Sequence, residues 1–291
     1  MKQNHLAAFA ILVVACAWGS TFALIKNVLR SIAPEPFIAI RFLIAGAFLC
    51  TIVFYRRSLT AAALAPSALL GTLVFIGYWA QTRGLLFISP SRSAFLTGLY
   101  VVIVPFADRL VRGNRPPLTA WIASVLAVLG TSWLIGGFDT RPSIGDVLTL
   151  VCAVCFALHV VYTADYTARH SAIGLAAIQV LIVGVEATPA SFIAPRIALT
   201  REVVVVVLFT AIVTTALAFV ALMWGQARVT ATEAAVILSF EPVAASITSV
   251  AFYGEPLTHG IVVGGLLILA AMMIATGGAD AFVRPARRTP R

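Results

Sequence analysis

Glu241 and His159 are the titratable side chains that lie deepest inside long apolar runs of this sequence. An ionisable group at the centre of a membrane-spanning helix costs about 2.5–3.5 kcal/mol on insertion scales, so each needs a chemical reason. Glu241 stands directly before Pro242, whose ring lacks the N–H that would otherwise bond the carbonyl of Leu238. Two roles are open to it. A protonated carboxyl could donate to such a carbonyl, or a cavity-facing carboxyl could bind a substrate amine or a proton. His159 has Phe156 and Tyr162 one turn to either side. It is either a hydrogen bonder between helices or a cavity residue. Tyr78, Trp79 and Tyr100 add aromatic surface. Tyr78 and Tyr100 sit away from the interfacial belts where Tyr and Trp gather, and a buried Tyr hydroxyl needs a partner. A wet cavity would supply one; ordinary core packing is the alternative. Lys26, Arg41 and Arg83 lie a turn or two inside the ends of their runs. Lys26 can snorkel to the surface. Arg41 and Arg83 could pair with Glu186 or Glu35 to close a gate, or form a basic vestibule for a carboxylate.

Other chemistries are poorly served. Cys16, Cys50, Cys152 and Cys155 all fall in apolar runs without a loop His or Cys beside them, so neither a zinc site nor a disulfide framework is indicated. The Cys152-x-x-Cys155 pair lacks the strand–loop setting of a redox motif and reads as small buried hydrophobes. There is no P-loop and no H-E-x-x-H. An intramembrane enzyme, the competing class, would need two Asp, a Ser with a His, or a metal motif at spanning depth. The expectation is therefore a non-enzymatic protein with no cofactor and no metal. Arg284, Arg287, Arg288 and Arg291 crowd the last eight residues without interleaved aromatics, which reads as an anchor at the membrane surface and not as a nucleic-acid groove.

Those residues must be positioned by membrane-spanning helices. Of 291 residues, 61% are apolar and only 11% charged, too few charges to cover a soluble fold. Apolar runs of about twenty residues recur, at roughly 6–28, 36–55, 67–88, 92–112, 118–136, 144–166, 172–193, 203–225, 231–252 and 259–278. The first run is too long for a signal peptide and reads as a retained helix. A β-barrel would need alternating polarity, which is missing. With the N-terminus inside, twelve Lys and Arg fall on the inner side (Lys2, Arg56, Arg57, Arg109, Arg112, Arg115, Arg169, Arg228 and the four of the tail). Five fall outside: Arg30, Arg92, Arg141, Arg196 and Arg201. That asymmetry puts both termini in the cytoplasm. Spans 1, 3, 4, 6, 8 and 9 carry the mid-run polar and aromatic residues and should line a cavity; spans 5 and 10 should be peripheral. Pro105 and Pro242, in spans 4 and 9, mark candidate hinges.

A shift of 141 residues sets Gly84 on Gly225, Gly113 on Gly254 and Gly136-Gly137 on Gly277-Gly278. Near the first span a shift of 138 sets Trp18-Gly19-Ser20-Thr21-Phe22 on Phe156-Ala157-Leu158-His159-Val160. Each repeat holds five spans, an odd number, so the halves must enter the membrane from opposite sides, as in many secondary transporters.

Trp18-Gly19-Ser20-Thr21-Phe22, the stretch Ser93-Ala94-Phe95-Leu96-Thr97-Gly98-Leu99-Tyr100 through Pro105, and Glu241-Pro242 followed by Gly254-Glu255 resemble the signatures of the drug/metabolite transporter superfamily, in its ten-helix EamA-type branch. The resemblance covers nearly the whole chain. It departs where Val101 stands opposite Pro242 and Asn114 opposite Glu255, so the halves are not equivalent. It implies an all-α integral membrane protein of ten helices in two inverted five-helix repeats, 1–140 and 141–280, followed by a basic tail, 281–291. It also implies an exporter of small organic solutes in a bacterial inner membrane. The most similar members are the aromatic amino acid exporters; other metabolites or drugs are the alternative. Expected partners are the solute and the lipid bilayer, with no nucleic acid and with the chain a monomer or weak dimer. The expected cavity residues are Trp18, Thr21, Tyr78, Trp79, Tyr100, His159, Tyr162 and Glu241, with Arg41, Arg83 and Glu186 as gate or ion pair.

The charge asymmetry yields a test of orientation. In a cysteine-free background, a cysteine at Asp139 or Ala198 should react with an impermeant thiol reagent added to intact cells. One at Ser58 or in the tail should not, and labelling of the tail from outside would overturn the assignment.

Overall fold

Long apolar runs have only one economical conformation away from water, the helix, because it satisfies every backbone group within the segment. The computed structural model describes residues 2–56, 58, 60–113, 115–134, 143–194, 197–253 and 257–275, and they are almost entirely helical. Asp139, Arg141, Arg196, the Gly254-Glu255 pair, the repeat glycines 136–137 and 277–278 and the basic tail lie outside the described residues. In chain order the helices are α1 (Lys2–Gly19), α2 (Thr21–Val28), α3 (Pro34–Arg56), α4 (Leu64–Gly84), α5 (Pro90–Gly98), α6 (Tyr100–Arg112) and α7 (Leu118–Leu134). There follow α8 (Ile144–Tyr166), α9 (Ala172–Ser191), α10 (Arg201–Ala211), α11 (Ala218–Gln226), α12 (Ala231–Leu238), α13 (Glu241–Tyr253) and α14 (His259–Ala275). A π-helical turn, Ile212–Leu217, joins α10 to α11.

Seven helical stretches among the described residues are long and apolar enough to cross a bilayer: Asn4–Val28, Pro34–Tyr55, Ala61–Gly84, Arg92–Arg112, Ile144–Tyr166, Ala172–Ser191 and Arg201–Gln226. Leu118–Trp133 and Val262–Ala271 are apolar but shorter. Four of the expected runs are not uniform α-helices. The first breaks at Ser20, the fourth at Leu99 and the ninth at Ser239–Phe240, and the eighth widens into the π turn. Their outward faces carry exposed Phe9, Phe54, Phe106, Leu150, Val205 and Leu266, while Thr, Ser, Gln, Arg41 and Glu241 are buried. That inversion of the soluble pattern suits a lipid surround.

The ends are fixed by ordinary capping chemistry. Ser143 and Asp146 form a capping box on α8, and Thr230 and Glu233 form one on α12. Gly113 ends α6 with φ of 70°, the left-handed conformation that favours glycine. Lys26 is half-buried. Its ammonium donates to the carbonyls of Leu85 and Ile88, just past the end of α4, where a cation is favoured. The loops after α2 and α9 meet where the Ala198 N–H donates to the Ser31 carbonyl at 3.0 Å.

Close approach of helices sets the frame. α3 runs against α9, α4 against α8 and α9, and the peripheral pair α7 and α14 against each other. A Cβ on Gly184 of α9 would sit 2.8 Å from the Leu43 backbone nitrogen, and one on Gly46 of α3 would sit 2.8 Å from Leu181 Cα. Those neighbours are backbone atoms and cannot swing aside. Gly184→Val should therefore cost about 1–3 kcal/mol of stability. It should appear as a lowered Tm of the detergent-solubilised protein; an unchanged Tm would mean that α3 and α9 part easily.

Candidate functional site

Three helix breaks converge. Gly19, at the end of α1, lies so close to the carbonyl of Glu241 and to Ala244 that no side chain fits there. Gly98, at the end of α5, faces the Pro242 ring, which a Cβ would touch at 3.5 Å. Around this junction lie two small adjoining lobes of one cavity. Trp18, Tyr78, Phe156 and Glu241 border both. The first lobe adds Thr21, Arg41 and Gln81, and the second adds Tyr100, His159 and Phe219. Arg41 is only 2% exposed and Glu241 6%, so both side chains are buried within the bundle.

The walls are aromatic. Phe42 meets Tyr78 edge to face at 5.1 Å between ring centres, and Tyr78 meets Phe156 at 5.4 Å. Trp18 packs on Phe219 at 5.7 Å, and His159 on the same ring at 6.2 Å. These contacts rigidify the lining, each contributing about 0.5–1.5 kcal/mol beyond area burial. The Arg41 guanidinium lies 5.1 Å from the Tyr78 ring centre and 5.3 Å from that of Phe42.

The π turn supplies the polar anchor points. A widened turn offers carbonyls to partners other than the helix, and such turns are frequent at functional sites. Here the Thr214 carbonyl accepts from Trp18 Nε1 at 2.7 Å, and Arg41 Nη2 approaches it at 3.5 Å. Arg41 Nε donates to Thr215 Oγ1 at 2.7 Å, and Nη2 to Thr214 Oγ1 at 3.3 Å. On the other side Gln179 aims its amide nitrogen at Met223 Sδ, 3.3 Å away. Its carbonyl lies 2.8 Å from His159 Nε2, a distance at which the Nε2–H tautomer donates to it. Glu241 makes no side-chain hydrogen bond among the described residues, to the Leu238 carbonyl or any other group. Its carboxyl opens onto the cavity.

The structure brings together Trp18, Thr21, Tyr78, Tyr100, His159 and Glu241. It does not bring in Trp79 or Tyr162. Trp79 faces the other way, donating from Nε1 to Glu35 Oε1 at 3.1 Å, and Arg83 lies over its ring at 5.7 Å. One residue along a helix is a rotation of about 100°, which separates Trp79 from Tyr78. Tyr162 stacks on Tyr166 at 6.0 Å, outside the lining. The expected ion pairs are also redistributed. Arg83 does pair with Glu35, at 2.6 Å, but Arg41 has no carboxylate within salt-bridge distance among the described residues. Glu186 instead accepts from the Thr72 hydroxyl at 2.7 Å. Arg41 thus lines the cavity, together with span 2, which sequence reasoning left out. Pro105 sits within α6, where the break lies before it at Leu99, and the carbonyl of Val101 that it frees accepts from Ser124 Oγ at 3.1 Å. Pro242 occupies the first turn of α13, where a missing N–H costs nothing. Phe42, Phe219 and the Thr214-Thr215 pair carried no signal in the sequence.

An aromatic, partly polar cavity at the junction of broken helices lies within a bundle of apolar helices that suits a polytopic membrane protein. The comparisons with known proteins give the family. The EamA-like transporter family matches residues 5–136 and again 143–277. An uncharacterized transporter of Archaeoglobus fulgidus is 32% identical over 273 residues, 93% of this chain and 85% of the relative. The uncharacterized transporter YoaV of Bacillus subtilis is 23% identical over 277 residues, 91% of this chain and 95% of that one. A solved crystal structure superposes with a TM-score of 0.80 at 18% identity, covering 93% of this chain and 97% of the other, a likeness of fold alone. The chain belongs to the EamA-like transporter family and is a multi-pass membrane protein.

The His159–Gln179–Met223 chain ties α8, α9 and α11 behind the cavity. Interhelical hydrogen bonds in membranes are worth about 0.6 kcal/mol on average and at most about 1.7. Gln179→Leu should therefore lower the stability of the detergent-solubilised protein by about 1 kcal/mol. A Tm equal to wild type would show that His159 finds another partner at no cost.

Proposed function

We propose that this transporter exports amino acids, with a preference for aromatic side chains, by alternating access around the central cavity. The observation that carries the reading is the lining itself: Trp18, Tyr78, Tyr100, Phe156 and Phe219 surround a space into which a carboxyl, Glu241, and an imidazole, His159, also face. A flat ring can lie against such walls, and an ammonium finds an acceptor. We read the chain as ten spans in two inverted repeats, 1–140 and 141–280, with both termini in the cytoplasm of a bacterial inner membrane. The twofold family match supports this division. So does the placing of the breaks, since Leu99 and Phe240 stand 141 residues apart. Trp18 and Thr21 border the cavity, as do their repeat partners Phe156 and His159. In this conformation the outer side is braced by Glu35–Arg83 and by Arg92, which grips Asp146 with Nε at 2.6 Å and Nη2 at 3.0 Å. These pairs tie α3 to α4 and α5 to α8, and they act as the outer gate. Leu99 and Ser239–Phe240, beside Pro105 and Pro242, are the hinges.

Transport by purified protein in proteoliposomes, with and without a pH gradient, tests the reading and separates facilitated from proton-coupled movement. Stacking on an aromatic residue is worth roughly 0.5–1.5 kcal/mol, a several-fold preference. Tyr78→Ala or Tyr100→Ala should reduce transport of phenylalanine or tryptophan more than that of threonine or methionine. His159→Ala should impair all of them alike. If both Tyr variants keep the wild-type ratio, the aromatic preference is absent or resides elsewhere.

A further inference from the structure

A guanidinium buried in hydrocarbon without a counter-ion is costly, because its desolvation is not offset by an opposite charge. Arg41 is in that position. It is among the largest fully buried side chains, and its neighbours are neutral: the hydroxyls of Thr214 and Thr215, the Thr214 carbonyl and the rings of Phe42 and Tyr78. Nε and Nη2 are held by the π turn, so the fork is fixed in orientation. The Tyr78 hydroxyl is a further hydrogen-bond partner of the guanidinium, and Arg41 borders the first lobe. Glu241 borders the same lobe and makes no side-chain hydrogen bond among the described residues, and the two do not form a salt bridge.

A guanidinium and a carboxyl group that face one cavity and stay apart leave room for an occupant bearing both a carboxylate and an ammonium. We propose that Arg41 is the carboxylate anchor of the substrate and Glu241 its ammonium acceptor, so that the site selects zwitterions carrying a free carboxylate. The assignment rests on the amino acid reading of the cavity above. A planar guanidinium presents paired N–H groups that match a carboxylate, which a single ammonium does not. The Trp18–Thr214 and Arg41–Thr215 bonds hold the anchor to α10 and α11 through the π turn. The substrate carboxylate would thereby neutralise the Arg41 charge, which no carboxylate balances among the described residues. The aromatic walls beside Tyr78 and Phe156 take the side chain.

The experiment is competition against labelled phenylalanine in proteoliposomes of the full-length protein. The competitors are phenylalanine, its methyl ester, phenethylamine and phenyllactate. Charged hydrogen bonds are worth enough to give about ten- to a hundredfold discrimination. Wild type should prefer phenylalanine by that factor over the ester and the amine, which lack the carboxylate charge. It should prefer it also over phenyllactate, which lacks the ammonium. Arg41→Gln should bring phenylalanine and its ester to near parity, Arg41→Lys should restore part of the difference, and Glu241→Gln should erase only the preference over phenyllactate. If amino acids are carried but Arg41→Gln keeps the wild-type ratio of acid to ester, the assignment is overturned while the transport reading stands. If Arg41→Gln does not fold, wild type alone still decides, since equal competition by the ester and the free acid excludes a carboxylate anchor. If no amino acid competes or is transported, the amino acid reading fails and the anchor fails with it.

Discussion

A polar group in hydrocarbon has no water to turn to, and each one left unsatisfied costs several kcal/mol. Several departures from a straight apolar helix among the described residues are matched by a specific partner. Pro105 frees the carbonyl of Val101, and Ser124 donates to it from α7. The π turn exposes the carbonyl of Thr214, and Trp18 and Arg41 converge on it. Lys26 covers the carbonyls beyond α4. Thr131, Thr149, Thr188 and Thr210 turn their hydroxyls back onto carbonyls of their own helices. Irregular backbone is tolerated at this depth only where it is buried in protein or lines a cavity, and all three breaks meet that condition.

The same constraint explains where the cavity lies. Breaks weaken a helix locally and must be packed against something, so they are packed against one another. Gly19 admits the Glu241 backbone, and Gly98 admits Pro242. Helices that meet through glycine at their broken points share few bulky contacts there, and the space beside the junction becomes the cavity. The unbroken helices α3, α4, α8 and α9 form the frame, locked by Gly46, Gly184 and Gly71 against neighbouring backbone and by Gly77 against the Phe156 ring. Polar side chains on the frame, Arg41 and His159, reach the cavity while their second partners, Thr215 and Gln179, anchor them from behind. Glu35–Arg83 and Arg92–Asp146 tie α3 to α4 and α5 to α8.

Depth and order along the chain were determined by the sequence itself. A bilayer core fixes the length of a spanning run, so the apolar stretches and their breakers marked out the helices without any knowledge of their packing. Depth along a run is a one-dimensional property, and it was enough to single out Tyr78, Tyr100, His159 and Glu241. Facing is not. In a soluble protein the apolar stripe tells which side of a helix looks inward. Here lipid and core are both apolar, so helix association leaves almost no such stripe. Only the tertiary structure could send Tyr78 to the cavity and Trp79 to Glu35, add Phe219 to the walls with Phe42 packed behind Tyr78, and withhold a carboxylate from Arg41. The charges near helix ends were legible as needing partners, yet which acid met which base depended on helix rotation. Rotation is set by glycine contacts between segments far apart in the chain, such as Gly184 with Leu43.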